Sequence, residues 1–503
     1  MRFSKTAFAL YGATFLSIAG LSAPALAQST DQVTIALRVS VNTLDPHMSA
    51  SVGSDLSVIS HIYPALIIRG PDLKLKGDIA TSWTMVDANT WRFELVEGAH
   101  FANGEKIDAQ TVKWNIDRVL DKSVGARIAG WFSLVSSANV ISPTTLEVKT
   151  SSPYPALADQ LSMFFLLPPE WAKTHKPATE TMSGGPYMIQ ENLPGDHITL
   201  VPNPEYWGPK PDFKTVNFRI IPESASRTAA LEAGEIDFIT GLPTTEIKRI
   251  NDSGRAKADA IDSIRTMLGK FNHQKAPFEN LKFRQALNYA IDKEGIVASI
   301  FDGKATVSNC QLMTPAYFGY NPDLKAYPYD PDKAIELLKE SGVDLSQEIE
   351  IEVPTATYLQ GEEVTQVLAS QLQEVGLNVK ITEIEFGAFM NKQIKERNLA
   401  QMAVQGLAWP TIDADGMLTM FAPGNVYDYW NNADFGKLLD AGRASTVPDE
   451  RKKIYADATK LMCDQAGALF LYAQPATYGI SKRITWQARG DDWVRAFDMK
   501  PAN

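Results

Sequence analysis

The chain has 503 residues, with 48 Lys and Arg against 59 Asp and Glu, so its formal net charge is −11. This length is enough for two or three domains with complete hydrophobic cores. An acidic chain without a block of basic residues is a poor candidate for binding nucleic acid or an anionic membrane surface, and we expect neither as a partner.

The first 27 residues have the pattern of an export signal. Arg2 and Lys5 supply the positive charge, an apolar stretch runs from Ala7 to Ala19, and Ala25-Leu26-Ala27 forms an A-x-A cleavage site. The apolar stretch is too short to span a bilayer, and no later stretch reaches the ~20 residues of a membrane helix. We therefore expect a signal peptide at 1–27 and a soluble periplasmic protein; the alternative is an N-terminal membrane anchor.

The first third of the mature chain alternates short strands and helices. A strand is predicted at Val33 to Ser40 from its alternation, and a helix at Ser54 to Arg69 from apolar residues at helical spacing, with a distortion at Pro64. Trp91 to Leu95 has the period of two that is typical of a strand. Asp108 is suited to cap the next helix, in which Val112 and later apolar residues form one face.

The stretch from Ser183 to Leu242 predicts an α/β unit. Gly184-Gly185-Pro186 forces a turn, and a later helix is capped by Ser224 or Ser226 and ended by Gly234. A strand, this helix and a strand within about 25 residues form a βαβ unit, which requires parallel pairing. Strands are predicted at Tyr187 to Glu191, Ile198 to Val201, Val216 to Ile221 and Ile236 to Thr240.

The rest of the chain predicts a second α/β domain. Asp330-Pro331 begins a helix that Gly342 ends, since Asp favours the N-cap and Pro the first helical position. Further helices are predicted at Gly361 to Val375, Phe386 to Arg397 and Pro448 to Gln465, and strands at Glu348 to Val353, Leu377 to Ile384, Met402 to Ala408 and Ala468 to Tyr472.

The sequence lacks the common motifs for catalysis and nucleotide binding. It contains no Walker A motif, no G-x-G-x-x-G, no H-E-x-x-H and no G-x-S-x-G. Its six histidines never lie three or four residues apart, so no histidine-rich metal site is predicted. We expect no cofactor, no metal and no enzymatic activity. Carboxylates are abundant, so a hydrolase that works with a carboxylate pair stays open as a remote alternative.

Two cysteines, Cys310 and Cys463, lie far apart in the sequence. In an oxidising compartment they could form a disulfide. The alternative is a pair of buried free thiols, and the sequence does not decide between the two because it does not show proximity.

Three motifs in order within about 60 residues carry a family resemblance. They are Gly184-Gly185-Pro186-Tyr187, Asn203-Pro204-Glu205-Tyr206-Trp207 and Ala230-Leu231-Glu232-Ala233-Gly234-Glu235-Ile236-Asp237. Together they resemble the family 5 extracellular solute-binding proteins of ABC importers, the dipeptide and oligopeptide class. The resemblance covers nearly the whole mature chain, through Leu44-Asp45-Pro46, Ala80 to Leu95 and Phe278 to Asp292.

This resemblance implies the two-lobed α/β fold of periplasmic binding proteins, with an extra inserted subdomain and a ligand cleft between the lobes. Lobe one would comprise 28–72, 184–272 and the C-terminal return at 481–503. The inserted subdomain would span 73–183, and lobe two would span 273–480.

Peptide-binding members have a strand that leads into a G-W-x-G-D turn in lobe two, where the Asp holds the α-ammonium of the ligand. The matching stretch here is Gln405 to Asp415, and the strand and Trp409 match. Ile412 stands at the Asp position, so Asp413 would substitute only if the turn shifts. The alternative role of Asp413 is to cap the next helix. The candidate ligand contacts in this stretch are Leu407, Ala408, Trp409, Thr411 and Asp413.

Dipeptide binders carry an Arg at the start of a helix in lobe two, and the matching region here has Glu362 and Glu363 instead. Glu is the ordinary choice at a helix N-terminus; the alternative hypothesis is that Glu362 meets a cationic or hydroxyl-rich solute. In relatives the segments around Ser49 to Ser51 and Gly184 face the cleft. The resemblance therefore adds Ser49, Ser51, Gly184 and Glu362 as candidate contacts.

The resemblance implies a substrate-binding protein that captures a peptide or peptide-sized solute by hinge closure and delivers it to a membrane permease. The protein would be a monomer and would not itself carry the ATPase. The alternative solutes are an opine, an oligosaccharide or a metal chelate. A structural envelope protein would show no closure on any small molecule.

Overall fold

The structure is a computed structural model that describes residues 31–502. The signal peptide predicted at 1–27 lies outside the described residues. Its strands are β1 Gln32–Leu37, β2 Ile67–Arg69, β3 Leu75–Gly77, β4 Ala80–Asp87, β5 Thr90–Leu95, β6 Val135–Ser142, β7 Thr145–Thr150, β8 Tyr187–Leu193, β9 His197–Pro202, β10 Thr215–Ile220, β11 Phe238–Thr240, β12 Ala256–Phe271, β13 Thr306–Val307, β14 Glu348–Pro354, β15 Asn378–Ile384, β16 Met402–Leu407, β17 Leu469–Ser481, β18 Ile484–Trp486 and β19 Met499–Pro501.

The helices follow the same order. They are α1 Ser57–Ile62, α2 Ala109–Leu120, α3 Leu157–Leu161, α4 Pro169–Ala172, α5 Ser224–Ala233, α6 Thr244–Ser253, α7 Leu281–Tyr289, α8 Lys293–Ile300, α9 Pro331–Ser341, α10 Gly361–Glu374, α11 Phe386–Ile394, α12 Ala414–Leu418, α13 Ala433–Ala444 and α14 Pro448–Asp464. A π-helical turn covers Val52–Leu56, and short 3₁₀ segments cover Ala129–Phe132, Thr419–Phe421 and Ala496–Asp498.

One eleven-stranded sheet runs through the molecule in the order β15-β14-β16-β12-β17-β11-β1-β10-β9-β8, with β13 paired to β17. The long strands β12 and β17 pair antiparallel from Ala256 opposite Ser481 to Gly269 opposite Leu469. Hydrophobic clusters lie at both ends of this ribbon, one around Val33 and Phe218 and another around Phe271 and Ile351. The architecture is therefore α/β and two-lobed, as predicted.

The predicted βαβ unit is present, with β1 inserted in its middle. β1 pairs parallel with β10 and with β11, and α5 connects those two strands. Gly234 ends α5 with a φ of 78°, as predicted, because a residue without Cβ adopts this conformation at little cost. The predicted cap at Ser224 or Ser226 is wrong, since the Glu223 carboxylate accepts the Ser226 N–H at 2.7 Å.

The helix predicted at Ser54 to Arg69 is wrong beyond Ile62. Tyr63 is extended, and Ile67–Arg69 is strand β2. Pro64 explains the break, because proline lacks an N–H donor and disfavours the helical conformation of the residue before it.

Residues 73–183 contain a separate four-stranded sheet, β4-β5-β7-β6, with α2 packed against it. Asp108 caps α2 by accepting the N–H groups of Gln110 and Thr111, as predicted. The buried side chains of this segment join the same hydrophobic cluster as those of β1 and β10. The lobe borders at 72, 183, 272 and 480 stay predictions.

A disulfide joins Cys310 and Cys463 within lobe two. Both residues are buried in a cluster that also contains Leu312, Tyr455 and Met462. The bridge ties the loop after β13 to α14, so it holds together two segments that are 153 residues apart in sequence.

Replacing both Cys310 and Cys463 by Ser should lower the free energy of unfolding by about 2–5 kcal/mol, because the unfolded chain gains the freedom that the long closed loop removes. Urea unfolding and the thermal midpoint of the oxidised protein measure the change. Dithiothreitol should lower the midpoint of the wild type and leave that of the double variant unaltered; equal midpoints for the two oxidised proteins would contradict the prediction.

Candidate functional site

Several side chains reach from lobe one or the inserted subdomain to lobe two. The Arg69 guanidinium donates to the carbonyl oxygen of Thr411 at 2.5 Å, and Trp131 packs edge-on against Trp409 with ring centroids 6.1 Å apart. The Arg38 guanidinium donates to the Thr357 carbonyl oxygen at 3.3 Å. We call these three the cross-lobe contacts.

A β-bulge lies where β12 and β17 pass from one lobe to the other. Three residues of β12, Ser263 to Arg265, stand opposite Gln474 between the regular pairs of the two strands. The Ser263 hydroxyl donates to the Gln474 carbonyl oxygen at 2.5 Å and accepts the Arg265 N–H at 3.0 Å. Bulges bend a strand and redirect its side chains, and this one aims Arg265 at the cleft.

Arg265 and Arg38 converge next to the bulge. Arg265 donates to the Asp492 carboxylate at 2.7 Å, and its guanidinium lies 3.5 Å from the Gly406 carbonyl oxygen. Burial lowers the pKa of Arg38; Asp492 opposes the effect and Arg265 adds to it. Two guanidinium groups and one carboxylate give this place an excess of positive charge. Arg265 and Asp492 remain partly exposed, at 25% and 41% of their side chains.

Close backbone approaches make room for these arginines. Gly241 has a φ of +66°, and a Cβ there would lie 2.9 Å from the Arg38 side chain. A Cβ on Gly406 would lie 3.0 Å from both Arg265 and Tyr358. Because glycine has no Cβ, both positions leave space for the side chains of Arg38 and Arg265.

Aromatic side chains form the walls of the cleft. The Tyr317 hydroxyl accepts the backbone N–H of Trp409 at 2.8 Å and donates to the Ile264 carbonyl oxygen at 3.1 Å. These two bonds hold Trp409 against the bulge. Trp409 also covers Gly416, where a Cβ would meet its ring. Trp131 faces it from the inserted subdomain, so aromatic surface lies on both sides at this point.

The candidate residues of lobe two lie in one turn beside this cleft. Leu407 ends β16, while Ala408 and Trp409 are half-buried. Thr411 is buried, and its carbonyl oxygen receives Arg69. Of these four candidates, Trp409 and Thr411 take part in the cross-lobe contacts; that any of the four contacts a ligand stays a prediction.

Asp413 has internal partners. Its carboxylate forms a bidentate ion pair with Arg451, with both distances 2.7 Å, and accepts the Asp415 N–H at the start of α12. Both members of the pair are buried. Ile412 before it has a φ of 55°, and the turn that results directs Asp413 into lobe two. This placement fits the helix-capping role.

Glu362 also has a local role. Its carboxylate accepts the Ala356 N–H at 2.6 Å and lies in the first turn of α10. This bond orders the segment that leads to Thr357, the acceptor of Arg38. Glu362 therefore supports the cleft through the backbone in this arrangement.

The candidates of lobe one are engaged within lobe one and the inserted subdomain. Ser49 donates to Asp55 at 2.8 Å, and Ser51 shares a hydrogen bond with Ser54 at 2.7 Å. Gly184 is buried, and a Cβ there would lie 2.6 Å from the Phe101 ring. No recorded contact joins any of these three to the cross-lobe contacts within residues 31–502.

Sequence reasoning missed Arg38, Arg69, Trp131, Arg265 and Asp492. No motif singles out any of the five, and their proximity arises only when distant segments pair. In the described part of the chain, no group of three or more His, Cys, Asp and Glu side chains is arranged to hold a metal ion. Nor does that part contain a helix long and apolar enough to cross a membrane.

Known proteins are similar to this chain in sequence and in fold. The family profile described as "Bacterial extracellular solute-binding proteins, family 5 Middle" matches residues 74–428. The nickel-binding periplasmic protein of Escherichia coli (strain K12) is 28% identical over 396 residues, which cover 73% of this chain and 74% of that protein. The glutathione-binding protein GsiB of the same strain is 26% identical over 490 residues, 94% of this chain and 95% of that one.

A solved structure has the same fold. The periplasmic binding protein DppA from Helicobacter pylori, in complex with the peptide STSA, superposes with a TM-score of 0.84 at 22% identity, over 94% of this chain and 98% of that chain. The profile match covers well over half of the chain, and the order of the motifs agrees with it. The chain therefore belongs to the family 5 bacterial extracellular solute-binding proteins, the binding components of ABC importers.

Proposed function

We propose that this protein captures a peptide-sized solute through a carboxylate group that Arg38 and Arg265 bind in the cleft. The observation that carries the proposal is the excess of positive charge beside the bulge. Arg38 donates to one carbonyl oxygen in the described structure, so most of its five N–H donors are left for a ligand. Guanidinium groups match carboxylates in geometry and charge.

The relatives support a solute of this kind. Glutathione and the peptide STSA are short peptides with carboxylate groups, and they are the ligands named with GsiB and with the Helicobacter pylori protein. The proposed site binds the carboxylate of the solute, and it differs from a site that binds both the ammonium and the carboxylate of a dipeptide. Asp413 is committed to Arg451, so we assign it no contact with a ligand ammonium.

Closure is the mechanism that the cross-lobe contacts support. A solute that touches Arg38, Arg265 and Trp409 together binds the closed form better than the open form and shifts the population toward it. A membrane permease then recognises the closed shape, and its partner ATPase drives transport. We propose that the mature protein is a periplasmic monomer, that residues 1–27 are removed on export, and that the solute leaves unaltered, without catalysis.

A chelated metal is the second candidate solute, because one relative is a nickel-binding protein. The described residues provide no cluster of metal ligands, so a metal would arrive in a carboxylate-bearing chelate that the same two arginines hold. Native mass spectrometry of the protein purified without denaturation separates the candidates by the mass that it retains. A retained peptide mass supports the first, and a retained metal complex supports the second.

Replacing Arg38 by Gln should weaken binding of Ala-Ala-Ala by roughly 10- to 100-fold, the effect of a lost charged hydrogen bond. Ala-Ala-Ala with an amidated C-terminus should bind the wild type weakly and Arg38→Gln about as weakly, because it lacks the carboxylate. Isothermal titration calorimetry measures both. Arg92→Gln, at an exposed site of the inserted subdomain, is the control. Equal affinity of the wild type for acid and amide would contradict the carboxylate assignment.

Replacing Arg69 by Ala should reduce the closed population, since its guanidinium donates to the Thr411 carbonyl oxygen across the cleft. The same guanidinium also donates to Asp159 and to the Leu73 carbonyl oxygen on its own side. We expect about tenfold weaker binding and a larger radius of gyration at a fixed ligand concentration in small-angle X-ray scattering. Arg249→Ala, on the outer face of α6, should leave both unaltered. A variant that closes as fully as the wild type would show that this contact does not stabilise closure.

Replacing Asp413 by Asn should lower the free energy of unfolding by about 3–5 kcal/mol, because it leaves the buried Arg451 charge without its carboxylate. Urea unfolding measures the change, with Asp449→Asn at an exposed position of α14 as the control. If Asp413→Asn keeps its stability and loses peptide affinity instead, Asp413 is a ligand contact and the structural role is wrong.

A further inference from the structure

Lys270 is fully buried in lobe two, and its ammonium group has no hydrogen-bond partner among the described residues. A buried lysine without a partner is rare, because moving an ammonium group out of water is costly unless another group replaces the lost hydration. Lys270 lies on β12 opposite Ala403 of β16. Its side chain points away from the core that contains Met267 and Phe271.

Three aromatic rings surround the Lys270 ammonium. Its Nζ lies 4.7 Å from the ring centre of Phe421, 5.7 Å from that of Tyr427 and 5.8 Å from that of Tyr429. Cation–π attraction to such rings offsets part of the desolvation cost. It does not supply hydrogen-bond acceptors for the three N–H donors of the ammonium.

Other unpartnered polar atoms lie on the same face of the sheet. Gln405 stands opposite Leu268, two residues from Lys270, and contacts Gln393 at 3.4 Å. The described structure gives no partner to the Gln405 Nε2, the Gln393 Oε1 or the Thr266 Oγ1. Buried polar atoms are nearly always hydrogen-bonded, so four such atoms in one region indicate a place for an additional group.

The neighbouring carboxylates form hydrogen bonds or ion pairs with other groups. Asp428 accepts the N–H groups of Trp430 and Asn431, although its charge acts on Lys270. Glu352 is on the same face beyond Ala403 and binds Lys392. Arg397 stacks on Tyr429 and adds positive charge. Tyr427 and Tyr429, whose rings face the ammonium, each bring a titratable hydroxyl to its surroundings.

Tyr427 connects this region to the cleft. It is half-buried, and it lies near Tyr358, whose pKa is raised by burial and, to a smaller extent, by Tyr427. Tyr358 in turn lies beside Gly406 and Arg265. Tyr427 and Tyr358 therefore lie between the Lys270 ammonium and Arg265. We call the group of side chains formed by Lys270, Gln393, Gln405, Phe421 and Tyr427 the Lys270 recess.

We propose that the Lys270 recess binds a second carboxylate of the solute, such as an acidic side chain of a peptide. The two carboxylate oxygens would accept from the Lys270 ammonium and the Gln405 amide, the two kinds of donor that lack acceptors there. The inference rests on the proposed function, because it takes the first carboxylate to be held by Arg38 and Arg265. It narrows the solute to acidic peptides and to peptide-sized solutes with at least two carboxylates.

The test uses pairs of tripeptides that differ only by Glu against Gln, at the first, second and third positions of Ala-Ala-Ala. Glu and Gln have nearly the same shape, so their difference reports the charge alone. At one position the wild type should bind the Glu peptide at least about tenfold more tightly than the Gln peptide. Lys270→Met should abolish this preference, so that the variant binds the Glu and Gln peptides within about twofold of each other. Lys380→Met, an exposed lysine on β15, should keep the preference.

The outcomes separate the two proposals. If the wild type binds the neutral peptides and shows no preference for Glu at any position, the recess proposal is wrong and the proposed function stands. The same holds if Lys270→Met retains the preference, or if the recess takes only water. If neither acidic nor neutral peptides bind, the proposed function fails and the recess proposal fails with it.

Proton uptake provides a measurement on the wild type that needs no variant to fold. Burial lowers the pKa of Lys270 to about 7, so the ammonium is mostly deprotonated at pH 8. Binding a carboxylate stabilises the charged form and raises that pKa, so the Glu peptide should take up a proton on binding at pH 8. Calorimetry in buffers of different ionisation enthalpy measures the uptake, and the Gln peptide should show less. Equal uptake for the two peptides would overturn the proposal.

Discussion

Strands β12 and β17 pair along most of their length, and the two lobes are built on opposite ends of this ribbon. The ribbon is irregular at one place, the bulge at Ser263 to Arg265, and that place is where the lobes meet. A bulge there has two effects: it allows the ribbon to bend between its ends, and it turns Arg265 out of the sheet toward the cleft. Arg265 and, through it, its neighbour Arg38 thus lie beside this local departure from regular pairing.

Charge in this protein is strongly divided between the outside and the cleft. The chain as a whole is acidic, yet the bulge brings two arginines together and leaves them with Asp492 as a shared neighbour. Lobe two repeats the arrangement at Lys270, where a cation is enclosed by rings and amides. Under the proposed function, an acidic chain with basic side chains at these two places would hold an anionic solute without a basic surface that attracts polyanions.

Local rules predicted much of the fold. The caps at Asp108 and Asp330 and the ends at Gly234 and Gly342 depend on a few neighbouring residues, and the structure confirms them. The helix predicted across Pro64 failed because apolar spacing was weighed above the effect of proline on its neighbours. The family and the two-lobed architecture were predicted from motifs whose order is fixed along the chain.

The site was less predictable, because its residues are brought together by long-range pairing. Ser263 meets Gln474 across 211 residues, and Asp413 meets Arg451 across 38. Nothing near Arg265 in the sequence shows that the three residues Ser263 to Arg265 of β12 will stand opposite the single residue Gln474 of β17. Lys270 follows a glycine within a strand, where a polar residue would ordinarily face solvent, and only its depth in the fold makes it unusual.

The C-terminal tail has a consequence for the order in which the molecule is assembled during synthesis. Trp493, Val494 and Met499 belong to the same core as β1, and the Val494 N–H donates to the Ser57 hydroxyl across 437 residues. Lobe one therefore contains the earliest and the latest segments to be made. The helices and strands of lobe two lie almost without interruption between them, so they are all available before lobe one is complete. The first lobe in the sequence is the last to be completed, so a chain lacking only its final residues retains an unfinished lobe one and an exposed core.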